Sequence, residues 1–194
     1  TAVDYTTYDY PQALDVFSST LNSLQNYVST LSQNDNTRFR SSDTGYTFAD
    51  LNESINTLRS VDYATLSSYV LGKNVTKDKA SLAIYYQYRI DNLNRNLSSA
   101  NEKLATITDS IKNYQKDSMV VMAGADATSS SALTQPSEAY DDLISQKTDA
   151  QSSVSSYQQQ ITDYQSRLDK LNSSAVASKK DQEKVETDMK TVCD

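Results

Sequence analysis

The stretch "YQYRIDNLNRNLSSANEKLATITDSIKNY", residues 86–114, decides the fold, because its apolar residues alternate at intervals of four and three. The residues in phase are Tyr86, Ile90, Leu93, Leu97, Ala100, Leu104, Ile107, Ile111 and Tyr114. Four heptads in one register are typical of a coiled-coil seam. The spacing therefore predicts a helix over about 76–117, roughly 60 Å long at 1.5 Å per residue.

The C-terminal part of the chain shows the same alternation of apolar residues at intervals of four and three. After Pro136 the pattern runs from Leu143 to Val192 and predicts a second helix over about 137–193, roughly 85 Å long. The short connection would have to be almost fully stretched to bring this helix back parallel to the first, so an antiparallel hairpin is favoured. The seam residues expected to hold that hairpin are Leu93, Leu97, Leu104, Ile161 and Leu168.

The N-terminal part predicts shorter helices. An amphipathic helix is expected over 11–33, with Pro11 in its first turn and an apolar seam formed by Leu14, Phe17, Leu21, Leu24, Val28 and Leu31. Thr47 and Asp50 have the spacing of a capping box before a second helix. A further short helix over 62–71 is expected to end at Gly72, since glycine readily adopts the left-handed backbone that terminates helices.

The predicted fold class is mainly α: an elongated bundle built on a long antiparallel coiled-coil hairpin, with shorter N-terminal helices. The β propensity of residues 2–8 and of the apolar run 119–122 adds a small strand pair to this prediction. We expect one domain, 1–194, in which 1–75 forms the strand and short helices and 76–194 forms the hairpin.

Composition narrows the classes of function. The net charge of −7 argues against nucleic acid or an anionic membrane surface as a partner, since those surfaces select clustered Lys and Arg. The chain has no histidine, which removes the commonest general base and zinc ligand. Its one cysteine, Cys193, cannot form an internal disulfide. The sequence lacks Met at position 1 and stops within a helical pattern, so we expect an excised domain.

Candidate catalytic groups are few. Asp141 with Asp142, and Asp181 with Glu183, are the nearest acid pairs, but residues one or two positions apart point to different faces of a helix. We interpret them as solvated charges rather than catalytic dyads. The sequence therefore predicts no catalytic, cofactor-binding or metal-binding residue, and no cofactor.

Three tyrosines lie close together near the start of the first long helix. Tyr85, Tyr86 and Tyr88 could stack against sugar rings, as aromatic side chains do at binding surfaces. Aromatic residues at helical spacing are more often core residues, and we favour that interpretation, with Tyr86 in the seam.

The order of these parts resembles a known family. "VDYATLSSYVLGKNVTKDKASLAIYYQYRIDNL" (61–93), then a long helix and "YQKDSMVVM" (114–122), is similar to the extracytoplasmic part of bacterial chain-length-determinant proteins, the polysaccharide co-polymerases, particularly divergent Gram-positive versions. The resemblance implies a domain on the extracytoplasmic side of the cell membrane, between two transmembrane helices outside this sequence. Such a domain self-associates, works with the polysaccharide assembly machinery or its glycan, and regulates polysaccharide chain length without catalysing bond formation.

A second hypothesis comes from another class of protein. A helical bundle of this kind could be the extracytoplasmic sensor domain of a bacterial receptor, which binds a small ligand and transmits motion. An enzyme is disfavoured, because no constellation of nucleophile, base and electrophile stands out in the sequence.

Overall fold

The computed structural model describes residues 6–34, 39–124 and 138–193, and side chains over 6–34, 39–115 and 138–192. The chain is mostly helical, as the periodicity predicts, and no strand occurs within these ranges. The helices are α1 (Tyr10–Asn34), α2 (Phe48–Thr57), a π-helical segment (Leu58–Tyr63), α3 (Ala64–Lys73), α4 (Lys79–Gly124), α5 (Glu138–Ser173) and α6 (Lys179–Cys193).

The predicted strand at 119–122 is wrong, because these residues continue α4 as far as Gly124. No glycine or proline interrupts the chain between 80 and 123, so the helical backbone hydrogen bonds can run on through the Met and Val residues. Of the proposed partner strand at 2–8, residues 6–8 form a turn and a bend. The remainder, residues 2–5, lies outside the described residues.

The single helix predicted over 137–193 is in fact two helices, since α5 ends at Ser173 and α6 begins at Lys179. A capping box starts α6: the Asp181 amide donates to Ser178 Oγ (3.3 Å) and the Ser178 amide donates to Asp181 Oδ2 (3.2 Å). At the end of α5 the Ser173 hydroxyl donates to the Asp169 carbonyl oxygen (2.8 Å), a bond that Ser and Thr residues also make inside α4 and α5. The capping box therefore marks a new helix start at a place where the apolar rhythm alone would continue one helix.

The helix predicted at 11–33 is confirmed as α1, but its apolar seam is narrower than predicted. Leu14, Phe17, Leu21 and Val28 are buried. Leu24 remains 46% exposed, and Leu31 is only half-buried.

The run from α2 to α3 confirms one predicted helix end and corrects another. Thr47 and Asp50 form the predicted capping box at the start of α2. Gly72 does not end α3, since the helix runs to Lys73 and Asn74 takes the left-handed backbone with φ 52°. Asparagine tolerates this conformation, and here its side chain also donates to the Lys170 carbonyl oxygen (3.2 Å).

The chain forms two compact units, of which unit 1 contains Thr1–Tyr86 and Arg167–Asp194. Its core has two apolar clusters. The first joins α1, α3 and α6 through Tyr10, Ala13, Leu14, Leu66, Val70, Val75, Val185 and Met189. The second joins α1 to α2 through Phe17, Leu21, Val28 and Ile55.

Unit 2 contains Gln87–Ser166, in which the long helices α4 and α5 pack against each other. One apolar cluster has Ile107, Ile111 and Ala150 at its centre, and the rings of Tyr114 and Tyr140 lie 5.5 Å apart.

The predicted seam residues are buried to different degrees. Leu93 and Ile161 are buried, whereas Leu97 and Leu104 are half-buried. Leu168, also half-buried, belongs to unit 1.

Candidate functional site: a junction of four helix ends

Two short loops of unit 1 lie side by side. They are residues 74–78, between α3 and α4, and residues 174–178, between α5 and α6. The Ala177 amide donates to the Asn74 carbonyl oxygen (3.2 Å), and Gln182 Nε2 donates to the Thr76 carbonyl oxygen (2.8 Å). Two helices therefore end and two begin at one place, which we call the helix-end junction. It consists of these two loops, the side chains of Asp9, Asp181 and Gln182 that bind them, and the side chains of Tyr69 and Lys170, which bind Asp181 and the end of α3.

Asp9 binds the first loop at the start of α4. Its Oδ2 accepts hydrogen bonds from Thr76 Oγ1 (2.7 Å), the Lys77 amide (2.9 Å) and the Asp78 amide (3.1 Å). A carboxylate is favoured beside the amides that precede a helix, because the helix dipole is positive there. Asp78 in turn accepts from Ser81 Oγ (2.6 Å), and this bond lowers the pKa of Asp78.

Lys170 binds the end of α3. Its ammonium group donates to the carbonyl oxygens of Leu71 (2.7 Å) and Gly72 (3.0 Å), which have no helical amide partner at a C-terminus. A cation is also favoured by the negative end of the helix dipole. One lysine from α5 thus supplies hydrogen bonds to two carbonyl oxygens in the last turn of α3.

Asp181 joins the start of α6 to α3. Its carboxylate accepts from Ser178 Oγ (2.6 Å) and from the phenol of Tyr69 (2.6 Å). The Ser178 hydroxyl, followed by Tyr69, lowers the pKa of Asp181 to about 2, and the same bond to Asp181 raises the pKa of Tyr69. The Lys184 ammonium lies 4.7 Å from the centre of the Tyr69 ring, within the range of a cation–π contact.

A second polar link joins α1 to α6. The phenol of Tyr10 donates to Glu186 Oε1 (2.7 Å), and burial, followed by this hydrogen bond, raises the pKa of Tyr10. Thr6 and Lys190 line one surface cavity of about 590 Å³ beside this link. The described N-terminal and C-terminal segments therefore lie next to each other in unit 1.

A part-buried ion pair ties three helices of unit 1 together. Asp15 of α1 accepts from Arg167 Nη1 of α5 (3.2 Å) and from the phenol of Tyr85 of α4 (3.0 Å). The two charged side chains are only 21% and 15% exposed for Arg167 and Asp15. Pairing and hydrogen bonding offset the cost of removing both charges from water.

The three tyrosines singled out from the sequence have different surroundings. Tyr86 is buried, and Tyr85 binds Asp15 as described above. Tyr88 is 59% exposed.

The acid pairs are likewise separated. Asp141 and Asp142 are both exposed, and Asp142 accepts from Gln146 within the same helix. Asp181 belongs to the helix-end junction, whereas Glu183 is exposed.

Sequence reasoning missed the helix-end junction. The Ser178 to Asp181 spacing is a capping-box signal, and it could have located the start of α6. Asp9 and Lys170 offered no local signal, because their partners lie 67 to 99 positions away along the chain.

The comparisons with known proteins add no family. No family model matches the chain, and no curated protein or solved structure gives a significant match. No group of three or more potential metal-ligating side chains occurs in the part of the chain that the structure describes. Within the same ranges, no helix combines the length and apolar character needed to cross a membrane.

Proposed function

We propose that the chain is a non-enzymatic structural and assembly module of a membrane-anchored bacterial protein. In this proposal it lies on the extracytoplasmic side of the cell membrane and regulates the export or chain length of a cell-envelope polysaccharide. The observation that carries the proposal is the position of the terminal segments, since Thr6 and Lys190 line one cavity of unit 1. That position suits a domain held at both ends by flanking membrane anchors.

The contacts of unit 2 support an antiparallel coiled-coil hairpin as the working part of the module. Arg89, early in α4, lies 5.3 Å from the ring centre of Tyr164, late in α5. Tyr114, late in α4, contacts Tyr140, early in α5. Contacts in this order are those of two helices running in opposite directions. A rod of this kind can set the spacing between copies or partners.

The charged groups of the junction support a structural role. Asp9 binds the start of α4, Lys170 binds the end of α3, and Asp181 binds the start of α6. The bonds described for Asp9 Oδ2, Lys170 and Asp181 all go to backbone groups or to neighbouring side chains. A general acid or base must instead present its proton or lone pair to a substrate.

The test is a deletion of the gene in the bacterium that carries it, followed by sizing of the extracted surface polysaccharide. We expect polymer to be made with an altered length distribution, and the wild-type gene to restore the normal one. Ile107→Asp, which places a charge in the unit 2 core, should fail to restore it.

Lys112→Gln, on the exposed surface of α4, is the matched control and should restore the length distribution fully. Immunoblotting should show equal amounts of each variant in the membrane fraction. An unchanged length distribution after deletion, or complete loss of the polymer, would contradict the proposal.

One observation favours the sensor domain as a second candidate. An open cleft of about 760 Å³ in unit 1 lies against the π-helical segment, and Arg40, Tyr46 and Asp62 are among its lining residues. Such π-helical segments frequently occur at functional sites. A small polar molecule that raised the melting temperature of wild type but not of Arg40→Ala would favour this candidate over the first.

A further inference from the structure

A small cavity lies between α4 and α5 in unit 2. Its volume is about 280 Å³, and its lining residues lie between positions 96 and 103 of α4 and between 149 and 157 of α5. Ala100 and Ala150 are buried and belong to this lining. One alanine from each helix, at the same level of the seam, leaves space that larger side chains would fill. We call this space the alanine cavity.

The apolar seam is incompletely covered at this level. Leu97 and Leu104, the seam residues on either side of Ala100, are only half-buried. Leu93 and Ile107, the next seam residues in each direction, are buried. Apolar surface therefore remains open to solvent beside the cavity, although the seam closes again above and below it.

The polar side chains of the lining are unused. Asn96, Lys103 and Asp149 line the cavity, and among the residues that the structure describes none of these three side chains has a hydrogen-bonding or charged partner. The charged groups of the helix-end junction differ, because they bind backbone groups or neighbouring side chains. The cavity thus combines free polar groups with exposed apolar surface.

The chemistry of the lining indicates the class of ligand. The Asn96 amide can donate and accept hydrogen bonds, the Lys103 ammonium only donates, and the Asp149 carboxylate only accepts. A matching ligand carries many groups that do both, as hydroxyl groups do. It is uncharged, because the charges of Lys103 and Asp149 cancel. The half-buried ring of Tyr157 also lines the cavity and offers an aromatic face to the C–H face of a sugar ring.

From the cavity, its open apolar surface and its free polar groups, we propose that the alanine cavity binds one neutral sugar residue of a glycan. Tyr157 packs on the ring, and Asn96, Lys103 and Asp149 bond its hydroxyl groups. The volume is just below the range of about 300–1,000 Å³ typical of small-molecule sites, which suits a single ring. This inference rests on the proposed function, because it names where the module contacts the polysaccharide. With so few contacts, we expect a Kd on the order of 1–10 mM.

Nuclear magnetic resonance titration of the ¹⁵N-labelled protein tests the proposal. The probes are glucose, galactose, N-acetylglucosamine and oligosaccharides from partial hydrolysis of the surface polysaccharide of the bacterium that carries the gene. At least one probe should shift amide signals, and the shifts should be confined to residues 96–103 and 149–157.

Three variants locate the binding. Ala100→Leu fills the cavity without removing a polar group and should abolish the shifts. Asn96→Ala should raise the Kd about fivefold, the usual effect of losing one hydrogen bond. Tyr88→Ala is the matched control, since Tyr88 is a 59% exposed tyrosine of the same unit that does not line the cavity, and its Kd should equal that of wild type.

Circular dichroism should show equal helix content for all variants, and Asn96→Ala decides the matter if Ala100→Leu fails to fold. The proposal is overturned if no probe shifts the signals, if the shifts lie elsewhere, or if Asn96→Ala binds like wild type. Binding of glycine as tight as that of the sugars would also overturn it, because a zwitterion would then be the better match to Lys103 and Asp149.

The sugar titration and the polysaccharide sizing fail independently. If deletion of the gene alters polymer length but no sugar binds, only this inference is lost. If a sugar binds in the alanine cavity but deletion leaves polymer length unchanged, only the proposed function is lost.

Discussion

The carboxylate of Asp181 caps the start of α6, joins α6 to α3, and makes the stability of this contact depend on pH. It caps α6 through Ser178 and binds the phenol of Tyr69 on α3. Both bonds favour the charged form, so the pKa falls from 3.8 to about 2. Because the folded-state pKa is lowered, its stabilising contribution is fully present above pH 3.8 and is lost as the pH falls through about 2.

Asp181→Asn should therefore lower the free energy of unfolding at pH 7, and its difference from wild type should shrink between about pH 4 and pH 2. Urea unfolding followed by circular dichroism at several pH values measures this. Glu183→Gln, two positions away and exposed, is the control and should behave like wild type throughout. A constant difference at every pH would show that the charge of Asp181 contributes nothing.

At the scale of the element, local signals predicted some helix ends and not others. The Thr47 capping box was readable because both partners lie within one turn. The break between α5 and α6 was obscured, since Val185 and Met189 continue the heptad rhythm although they pack with α1 and α3 rather than along α4. The end of α3 depends on Lys170, nearly a hundred positions away, and no local pattern could reveal that contact.

Ser178→Ala should destabilise α6 by about 1 kcal/mol, the usual cost of losing an N-cap hydroxyl. The variant keeps the apolar residues of α6, so a lower urea midpoint would report the cap itself. Thr187→Ala, exposed in the middle of α6, removes a hydroxyl without removing a cap and should be neutral or slightly stabilising. Equal midpoints for wild type and Ser178→Ala would contradict the role given to the capping box.

At the scale of the whole molecule, the apolar rhythm predicted the mainly helical class and the two long packed helices. It could not predict the division into two units, because heptad spacing identifies which residues share one face of a helix but not which element packs against that face. Which helices of unit 1 pack together depends on contacts between residues far apart in the sequence, such as those of Tyr10 with Glu186 and of Asp15 with Arg167.

Core truncations should act on the unit that contains them. Met189→Ala and Ile107→Ala each remove a buried side chain, at a cost of about 2–5 kcal/mol. Amide hydrogen exchange should show the loss of protection from Met189→Ala mainly in α1, α3 and α6, and that from Ile107→Ala mainly in residues 100–111 and 140–150. Equal loss in both regions from either variant would show that the two units unfold together.

The π-helical segment Leu58–Tyr63 has a consequence for how this protein can change over evolutionary time. A π-helical stretch accommodates one residue more than a regular helix would, so deleting one residue there would convert the segment into a regular α-helix and leave α2 and α3 facing nearly the same directions. Leu66, Val70 and Ile55 would then keep their places in the two clusters, whereas a deletion inside α4 would turn the rest of that helix by about 100°. Among descendants of this gene, we expect residues 58–63 to tolerate the loss of a single residue better than the middle of α4 does.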